Sequence, residues 1–116
     1  MIRGDIYEVD LEPVTGSEAN KVRPAVIVSN DLANTAVERN GRGLVIVVPI
    51  TGNTERIYPF QVALSVGEHH GLSKPSKAQA EQVRAVDVMR LRKRVGHLTP
   101  PEMDALDTAL RIQLAL

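Results

Sequence analysis

Hydrophobic and polar residues alternate with a period of two near the start of the chain. In the stretch DIYEVDL, residues 5–11, the apolar or aromatic positions Tyr7, Val9 and Leu11 are separated by acidic residues. This alternation is typical of a β-strand with one buried face. Residues 12–23 are polar and contain proline and glycine, and they predict a loop.

Four further stretches predict strands. Residues 24–29 (PAVIVS) and 44–51 (LVIVVPIT) are apolar runs, too short and too rich in β-branched residues for helices, which indicates buried central strands. Residues 58–65 (YPFQVALS) alternate, with Phe60 expected in the core, and residues 77–86 (KAQAEQVRAV) are interpreted as another strand. The segment between the two apolar runs is expected to be a loop with one helical turn.

The end of the chain has the periodicity of a helix. Thr99 is placed to be the N-cap, with Pro100 at the first helical position and Glu102 completing a capping box. The apolar face of this helix contains Met103, Leu106, Leu110 and Leu114. Five or six short strands followed by one helix indicate a mainly β fold, a small antiparallel barrel or sandwich with a C-terminal helical cover.

Composition limits the classes of protein that remain. A length of 116 residues fits a single domain, 1–116. The chain has no cysteine, which excludes disulfides, thiolate zinc sites and cysteine nucleophiles. Because neither an export signal nor an apolar run of about 20 residues is present, we expect a cytoplasmic protein without a membrane span.

Charge is balanced overall but unevenly distributed. The formal net charge is zero, which argues against binding nucleic acid by bulk electrostatics alone. Acidic residues crowd the start of the chain, whereas the basic segment 84–94 carries four arginines and one lysine against one aspartate. We therefore expect one face of the protein to attract a polyanion.

Polar residues at the ends of the predicted strands are the first candidates for chemistry. Arg23 opens the second strand, Thr51 closes the third, and Glu18 lies in the loop before Arg23. An arginine held by a strand can stabilise charge that develops on a phosphate, and a hydroxyl beside it can add a hydrogen bond. A strand-end ion pair for Arg23 and a turn position for Thr51 are the commoner roles, and the residues alone leave both open.

The histidines are the second candidates. His69 and His70 lie in a polar loop and His97 stands alone before the helix, so we expect all of them to be solvated. No spacing typical of a metal site occurs, and neither does a G-x-S-x-G elbow or a phosphate-binding loop.

Four motifs in register carry a family resemblance. RGDIYEVDLEPVTGSEANKVRPAVIVSND, VVPITGN, YPFQV and AEQVRAVD occur in this order and at these distances in the MazF/PemK/Kid toxins, which the chain resembles over nearly its whole length. The resemblance is weakest at residues 31–42 and in the last helix. It implies an SH3-like antiparallel barrel with a C-terminal helix, the MazF/PemK/CcdB-like plasmid toxin fold, which forms a homodimer.

The same resemblance implies an activity and partners. The chain is expected to be a sequence-specific, metal-independent endoribonuclease for single-stranded RNA, an mRNA interferase, and the toxin of a type II toxin–antitoxin system. The ribose 2′-OH would attack the adjacent phosphate, leaving a 2′,3′-cyclic phosphate and a 5′-OH, with no cofactor. An acidic, MazE-like antitoxin is expected to compete with RNA for a groove lined by Arg23 and the basic segment.

When the functional residues of the family are carried over motif by motif, the resemblance implies that Arg23 and Thr51 perform cleavage and that Glu18 supports them. The implied RNA-binding residues are Ser17, Asn20, Lys21, Asn53, Tyr58, Lys77, Gln79, Glu81, Gln82 and Arg84. The loops 13–21 and 52–58 are expected to select the RNA sequence. Kid-like members carry an arginine and an aspartate where this chain has Gln79 and Glu81, so their acid–base assignment does not transfer.

Two alternatives stay open at this point. Gyrase-binding toxins related to CcdB share the barrel, but their contacts depend on a C-terminal tryptophan, and this chain has no tryptophan. A barrel that binds RNA or a peptide without cleaving it is the other alternative. Mapping new 5′ ends after incubation with RNA separates these possibilities.

Overall fold

A computed structural model of the chain describes residues 1–116. It contains seven β-strands and two α-helices. The strands are β1 (Asp5–Asp10), β2 (Val22–Ile27), β3 (Leu44–Thr51), β4 (Gln61–Leu64), β5 (Ser76–Gln79), β6 (Arg84–Asp87) and β7 (Leu91–His97). The helices are α1 (Asp31–Asn40), between β2 and β3, and α2 (Pro100–Leu114).

Strand β3 organises the sheet because it pairs with three other strands. Its first half pairs with β6, and its last residues, Ile50 and Thr51, pair with β5. On its other edge it pairs with β2, and the sheet continues through β1 to β7. All pairings are antiparallel, and β4 and β7, at the two ends of this path, do not pair with each other. The expected small antiparallel fold with a C-terminal helix is confirmed, with the sheet left open.

Both faces of the central strands are buried, which explains their continuous apolar sequence. In β2, Val26 belongs to the core under α2, whereas Ala25 and Ile27 belong to a second core. In β3, Val47 and Val48 likewise belong to different cores. Because successive side chains of a strand point to opposite faces, two cores require apolar residues at nearly every position.

Helix α2 begins with the predicted capping box. The Thr99 hydroxyl accepts from the Glu102 backbone N–H, and the Glu102 carboxylate accepts from the Thr99 backbone N–H (2.8 Å). Leu106 and Ala109 are buried, but Leu114, which was assigned to the apolar face, is 51% exposed. No helix of the chain combines the length and the apolar character needed to cross a membrane.

The prediction of a single helical turn between β2 and β3 is wrong, because α1 spans ten residues. The Asn30 side chain caps its first turn by accepting from the Ala33 N–H, and Gly41 ends it in the left-handed conformation (φ 68°). These caps satisfy backbone groups at both ends of a helix that buries only Asn34 and Val37.

Residues 77–86 do not form the single strand that was expected. A 3₁₀ turn at Ala80–Gln82 separates β5 from β6, so the two strands pair with different halves of β3. The hydrophobic pattern did not indicate this division, because both strands are short and partly polar.

Strand β7 was not expected at all. Its sequence, LRKRVGH, lacks the apolar alternation of a strand. It pairs with β1, where Arg92 lies 3.0 Å from Asp10 and Arg94 lies 3.2 Å from Asp5. Charge complementarity with β1 therefore accompanies the backbone pairing here.

We expect Thr99→Ala to lower the free energy of unfolding by about 1 kcal/mol, because it removes the hydroxyl that caps α2. Thr108→Ala, on the exposed side of the same helix, is the control and should stay within about 0.5 kcal/mol of the parent chain. Urea unfolding followed by circular dichroism measures both. Equal destabilisation by the two variants would contradict the role of the cap.

Candidate functional site at the ends of three strands

Three strands place one polar residue each in a row. Thr51, the last residue of β3, pairs with Lys77 of β5. Strands β2 and β3 pair with Ala25 opposite Pro49, and the same register continued by two residues sets Arg23 opposite Thr51. We call the row formed by Arg23, Thr51 and Lys77 the strand-end ledge. Arg23 and Thr51, which were predicted to act together, thus lie at neighbouring strand ends, two residues beyond the last recorded pair of β2 with β3.

Arg23 is a cation without a carboxylate partner. Its Nε donates to the Asn20 carbonyl (2.9 Å), and one terminal nitrogen donates to the Asn20 side-chain oxygen (3.3 Å). None of the salt bridges in the protein includes this guanidinium, so the ion-pair interpretation is wrong. Asn20 holds the group in place and leaves other N–H donors free for a ligand. Lys21, which follows Asn20 in the chain, is exposed.

Thr51 keeps a free hydroxyl proton. Its Oγ1 accepts from the Asn53 N–H (3.3 Å), which is the turn contact expected of a residue at the end of a strand. This bond uses an oxygen lone pair and leaves the O–H able to donate. Thr51 can therefore stabilise the turn and also donate a hydrogen bond to a ligand.

Two clefts flank the ledge. The first cleft, about 290 Å³ in volume, is lined by residues that include Glu8, Arg23, Gly52, Ser73 and Lys74. The second cleft, about 530 Å³, is lined by Asn53, Glu55, Arg56, Tyr58 and Lys77. Thr51 itself lines neither cleft, but its chain neighbours Ile50 and Gly52 line the first, and Asn53 lines the second.

Each cleft is lined by cationic side chains. The Lys74 side chain covers Gly52 so closely that a Cβ atom added to the glycine would lie 2.2 Å from the Lys74 Cε. The Lys74 ammonium makes no hydrogen bond or salt bridge. Lys77 is buried, and its Nζ donates to the Arg56 carbonyl (2.7 Å). Sequence reasoning did not single out Lys74 or Arg56, because both lie in loops whose course the hydrophobic pattern does not show. The signals were the position of Arg56 in the loop 52–58, which was expected to select the RNA sequence, and the closeness of Lys74 to Lys77.

An aromatic platform stands in the second cleft. Tyr58 is 40% exposed and stacks on Phe60, with ring centroids 5.3 Å apart and planes inclined by 2°. The Arg56 guanidinium carbon lies 5.5 Å from the centre of the Tyr58 ring. The expectation that Phe60 lies in the core is wrong, since it is only partly buried and supports Tyr58 instead.

Gln82, in the 3₁₀ turn between β5 and β6, holds the middle of the loop 13–21. Gln82 accepts from the Ala19 N–H (3.0 Å) and donates to the Ser17 carbonyl (3.1 Å). Glu18 is exposed and accepts from the Thr15 N–H (2.8 Å) within its own loop. Glu18 makes no hydrogen bond or salt bridge to Arg23 or Thr51, so a supporting role would require a movement of the loop.

Other predicted RNA-binding residues are held by the sheet. Gln79 pairs with Gln61 across β5 and β4, and the Gln61 amide donates to one oxygen of Glu81 (2.6 Å). The second oxygen of Glu81 is buried without a partner. Arg84 donates to the Leu11 carbonyl (3.1 Å). None of these side chains lines the first or the second cleft.

The basic segment 84–94 is largely compensated by the start of the chain. Its salt bridges join Arg92 to Asp10 and Arg94 to Asp5, and two further arginines donate to backbone carbonyls. The acidic and basic regions that the sequence separates are therefore in contact. Around the ledge, by contrast, Arg23 and Lys74 have no carboxylate partner.

The expectation that the adjacent histidines are solvated is wrong for His70, which is fully buried. Its ring nitrogens contact the Ser65 carbonyl (2.8 Å) and the Glu102 carboxylate (2.6 Å). His69, which is partly exposed, reaches the same carboxylate (3.2 Å). Because α2 supplies Glu102 from a distant part of the chain, no local motif signals this contact.

Comparison with known proteins identifies the family. Residues 2–114 match the model of the PemK-like, MazF-like toxins of type II toxin–antitoxin systems. The chain belongs to this family. Endoribonuclease MazF9 of Mycobacterium tuberculosis is 50% identical to it over 116 residues, which cover all of this chain and 98% of the relative. Endoribonuclease EndoA of Bacillus subtilis is 36% identical over 98% of this chain and 94% of the relative.

A solved structure supports the assignment of this chain to the MazF-like toxins. An endoribonuclease in complex with its cognate antitoxin, from a mycobacterial species, is similar over all of this chain and 96% of that chain, with a TM-score of 0.78 and 26% identity. The family and the endoribonuclease class expected from the sequence motifs are confirmed.

In the MazF-like toxin, Gln82→Ala should release the loop 13–21, because the side chain supplies two hydrogen bonds to it. Amide hydrogen exchange at Ala19 should become faster, whereas exchange in the central strands should not change. Gln113→Ala, an exposed position on α2, is the matched control. Unchanged protection of Ala19 would show that other contacts hold the loop.

Proposed function

We propose that this MazF-like endoribonuclease toxin cleaves single-stranded RNA at the strand-end ledge. The observation that carries the proposal is that Arg23, a guanidinium without a carboxylate partner, lines a cleft together with Ile50 and Gly52, the chain neighbours of Thr51. A fixed cation with free donors, next to a neutral donor, suits a phosphate that gains charge during reaction.

The proposed chemistry uses a nucleophile from the RNA. The ribose 2′-oxygen forms a bond to the adjacent phosphorus as the bond from phosphorus to the 5′-oxygen breaks. The 2′-OH loses its proton and the 5′-oxygen gains one, which leaves a 2′,3′-cyclic phosphate and a 5′-OH. Arg23 stabilises the charge on the phosphoryl oxygens, and Thr51 donates a hydrogen bond to one of them.

The two clefts are proposed to hold the RNA on either side of the scissile phosphate. Lys74 in the first cleft and Arg56 in the second offer positive charge to flanking phosphates. The exposed ring of Tyr58 offers a stacking surface for an unpaired base. Asn53 and the residues of the loop 13–21, among them Ser17, Asn20 and Lys21, are the proposed contacts for sequence choice.

An acidic antitoxin and a second copy of the chain are the proposed partners, in the cytoplasm. The similar mycobacterial endoribonuclease forms a complex with its cognate antitoxin. The same cations that suit phosphates suit the carboxylates of an acidic segment. A groove lined mainly by apolar residues, including Val28, Ile46, Leu110 and Leu114, supports a homodimer, because an exposed apolar surface is stabilised by burial against a partner.

Incubation of the purified protein with total RNA tests the proposal directly. New 5′-hydroxyl ends at a recurrent sequence are expected. Arg23→Ala should lower the cleavage rate by about 10² to 10³, because it removes the cation at the phosphate. Arg42→Ala, an exposed arginine in the turn after α1, should cleave at the parent rate. A folded Arg23→Ala variant with undiminished cleavage would exclude the assignment.

A single deoxyribose on the 5′ side of the cut should abolish cleavage of a short RNA, because the nucleophile is absent. Binding of this RNA, measured by fluorescence anisotropy, should persist, since the phosphates remain. Cleavage of the all-ribose RNA should continue in excess EDTA, because the proposed step uses only side chains and the RNA. Cleavage of the deoxyribose substrate would mean that water is the attacking group.

A further inference from the structure

Three potential metal ligands meet outside the candidate RNA site. The side chains of His69, His70 and Glu102 each place one ligand atom within 4.8 Å of the other two. We call these residues the histidine cluster. It joins the loop between β4 and β5 to the first turn of α2, and its residues line neither the first nor the second cleft.

The hydrogen bonds of His70 require a cation between its ring and Glu102. The Nδ1 atom lies 2.8 Å from the Ser65 carbonyl, which only accepts, so Nδ1 carries a proton. The Nε2 atom then faces an oxygen of Glu102 at 2.6 Å. If neither partner held a proton or another cation there, two lone pairs would oppose each other in a fully buried position.

The two carboxylate oxygens of Glu102 have different neighbours. Thr99 bonds to one carboxylate oxygen only. His69 also reaches that oxygen, Oε1, whereas the other oxygen, Oε2, contacts only His70 (2.6 Å).

We propose that the histidine cluster binds a zinc ion. Two imidazoles and one carboxylate, with the last position left to water, form a common tetrahedral ligand set for Zn²⁺. The bond from His70 Nδ1 to a backbone carbonyl is the usual partner of a histidine that ligates metal through Nε2, since it fixes the tautomer and the ring orientation. The partly exposed ring of His69 leaves a path for the ion and its water.

Binding requires a rearrangement of the Glu102 carboxylate. Ligand atoms that lie about 2.0–2.2 Å from a tetrahedral zinc ion are separated by roughly 3.3 Å. His69 Nε2 lies 3.2 Å from Oε1 of Glu102 and His70 Nε2 lies 2.6 Å from Oε2, so the carboxylate must turn and move away from His70 to ligate an ion through one oxygen. The ion would take the place of the proton between His70 and Glu102, so binding should release about one proton and strengthen as the pH rises.

The surrounding charges define a control. His97 lies next to the cluster, with its ring centroid 5.9 Å from that of His69, but its Nδ1 lies 3.5 Å from an Arg94 nitrogen. Glu68 is in the same loop as His69. Because His97 lies beside Arg94 and outside the group of three ligands, its removal should leave zinc binding unchanged.

Isothermal titration of the metal-free protein with zinc chloride tests the proposal. One ion per chain is expected, with binding weakened at least about tenfold by His69→Ala and by Glu102→Gln and unaffected by His97→Ala. Glu102→Gln keeps an oxygen that can accept from Thr99, so the helix cap is retained. Titrations in buffers with different heats of ionisation should show the release of about one proton.

The thermal midpoint gives an independent readout, since an ion that binds only the folded chain raises it. Absence of zinc binding, binding that His69→Ala and Glu102→Gln leave intact, or binding that His97→Ala removes would overturn the proposal. None of these measurements depends on RNA cleavage, so a failure here is distinct from a failure of the proposed function.

Discussion

The pairing of β3 with three strands is the constraint on which the rest of the structure depends. Its two halves pair with β6 and β5 on one edge, and β2 occupies the other edge. Strand β3 therefore has partner strands on both edges, but its pairing with β2 ends at Pro49, and Thr51 is held by Lys77 of β5. The register that buries Val47 and Val48 in separate cores also places Arg23, two residues beyond the last pair with β3, near the end of that strand. The strand pairings that form the two cores therefore also determine the geometry of the ledge.

Charge pairing determines where the protein is positive. The sequence suggests an acidic start and a basic segment on separate faces, but the antiparallel pairing of β1 with β7 brings them together. Since opposite charges in contact cancel each other's field, that face attracts polyanions less than its arginine content implies. The cations around the ledge lack carboxylate partners. Their field is therefore not cancelled, and they attract polyanions more than their number suggests.

Much of the fold was predictable, because it follows from local patterns: the alternation in β1, the apolar runs of β2 and β3, and the capping box of α2. Strand β7 and the full length of α1 were not predictable. Strand β7 is held by backbone pairing and by charge, and the length of α1 depends on its caps. Arg23 and Thr51 were found through motifs, whereas Lys74 and Arg56 reach the clefts only through the course of loops. The contact of Glu102 with His70 joins distant segments, and periodicity carries no signal for such a contact.

We propose that RNA lies on the strand-end ledge and not on β7, the strand with the most arginines. The most direct test is a titration of the isotopically labelled protein with an RNA that carries deoxyribose at the scissile position, in which the amide NMR signals are followed. We expect the largest shifts at Gly52, Asn53, Lys74 and Lys77, with small changes along β7. Shifts confined to β7, with the signals of Gly52 and Asn53 unmoved, would contradict it.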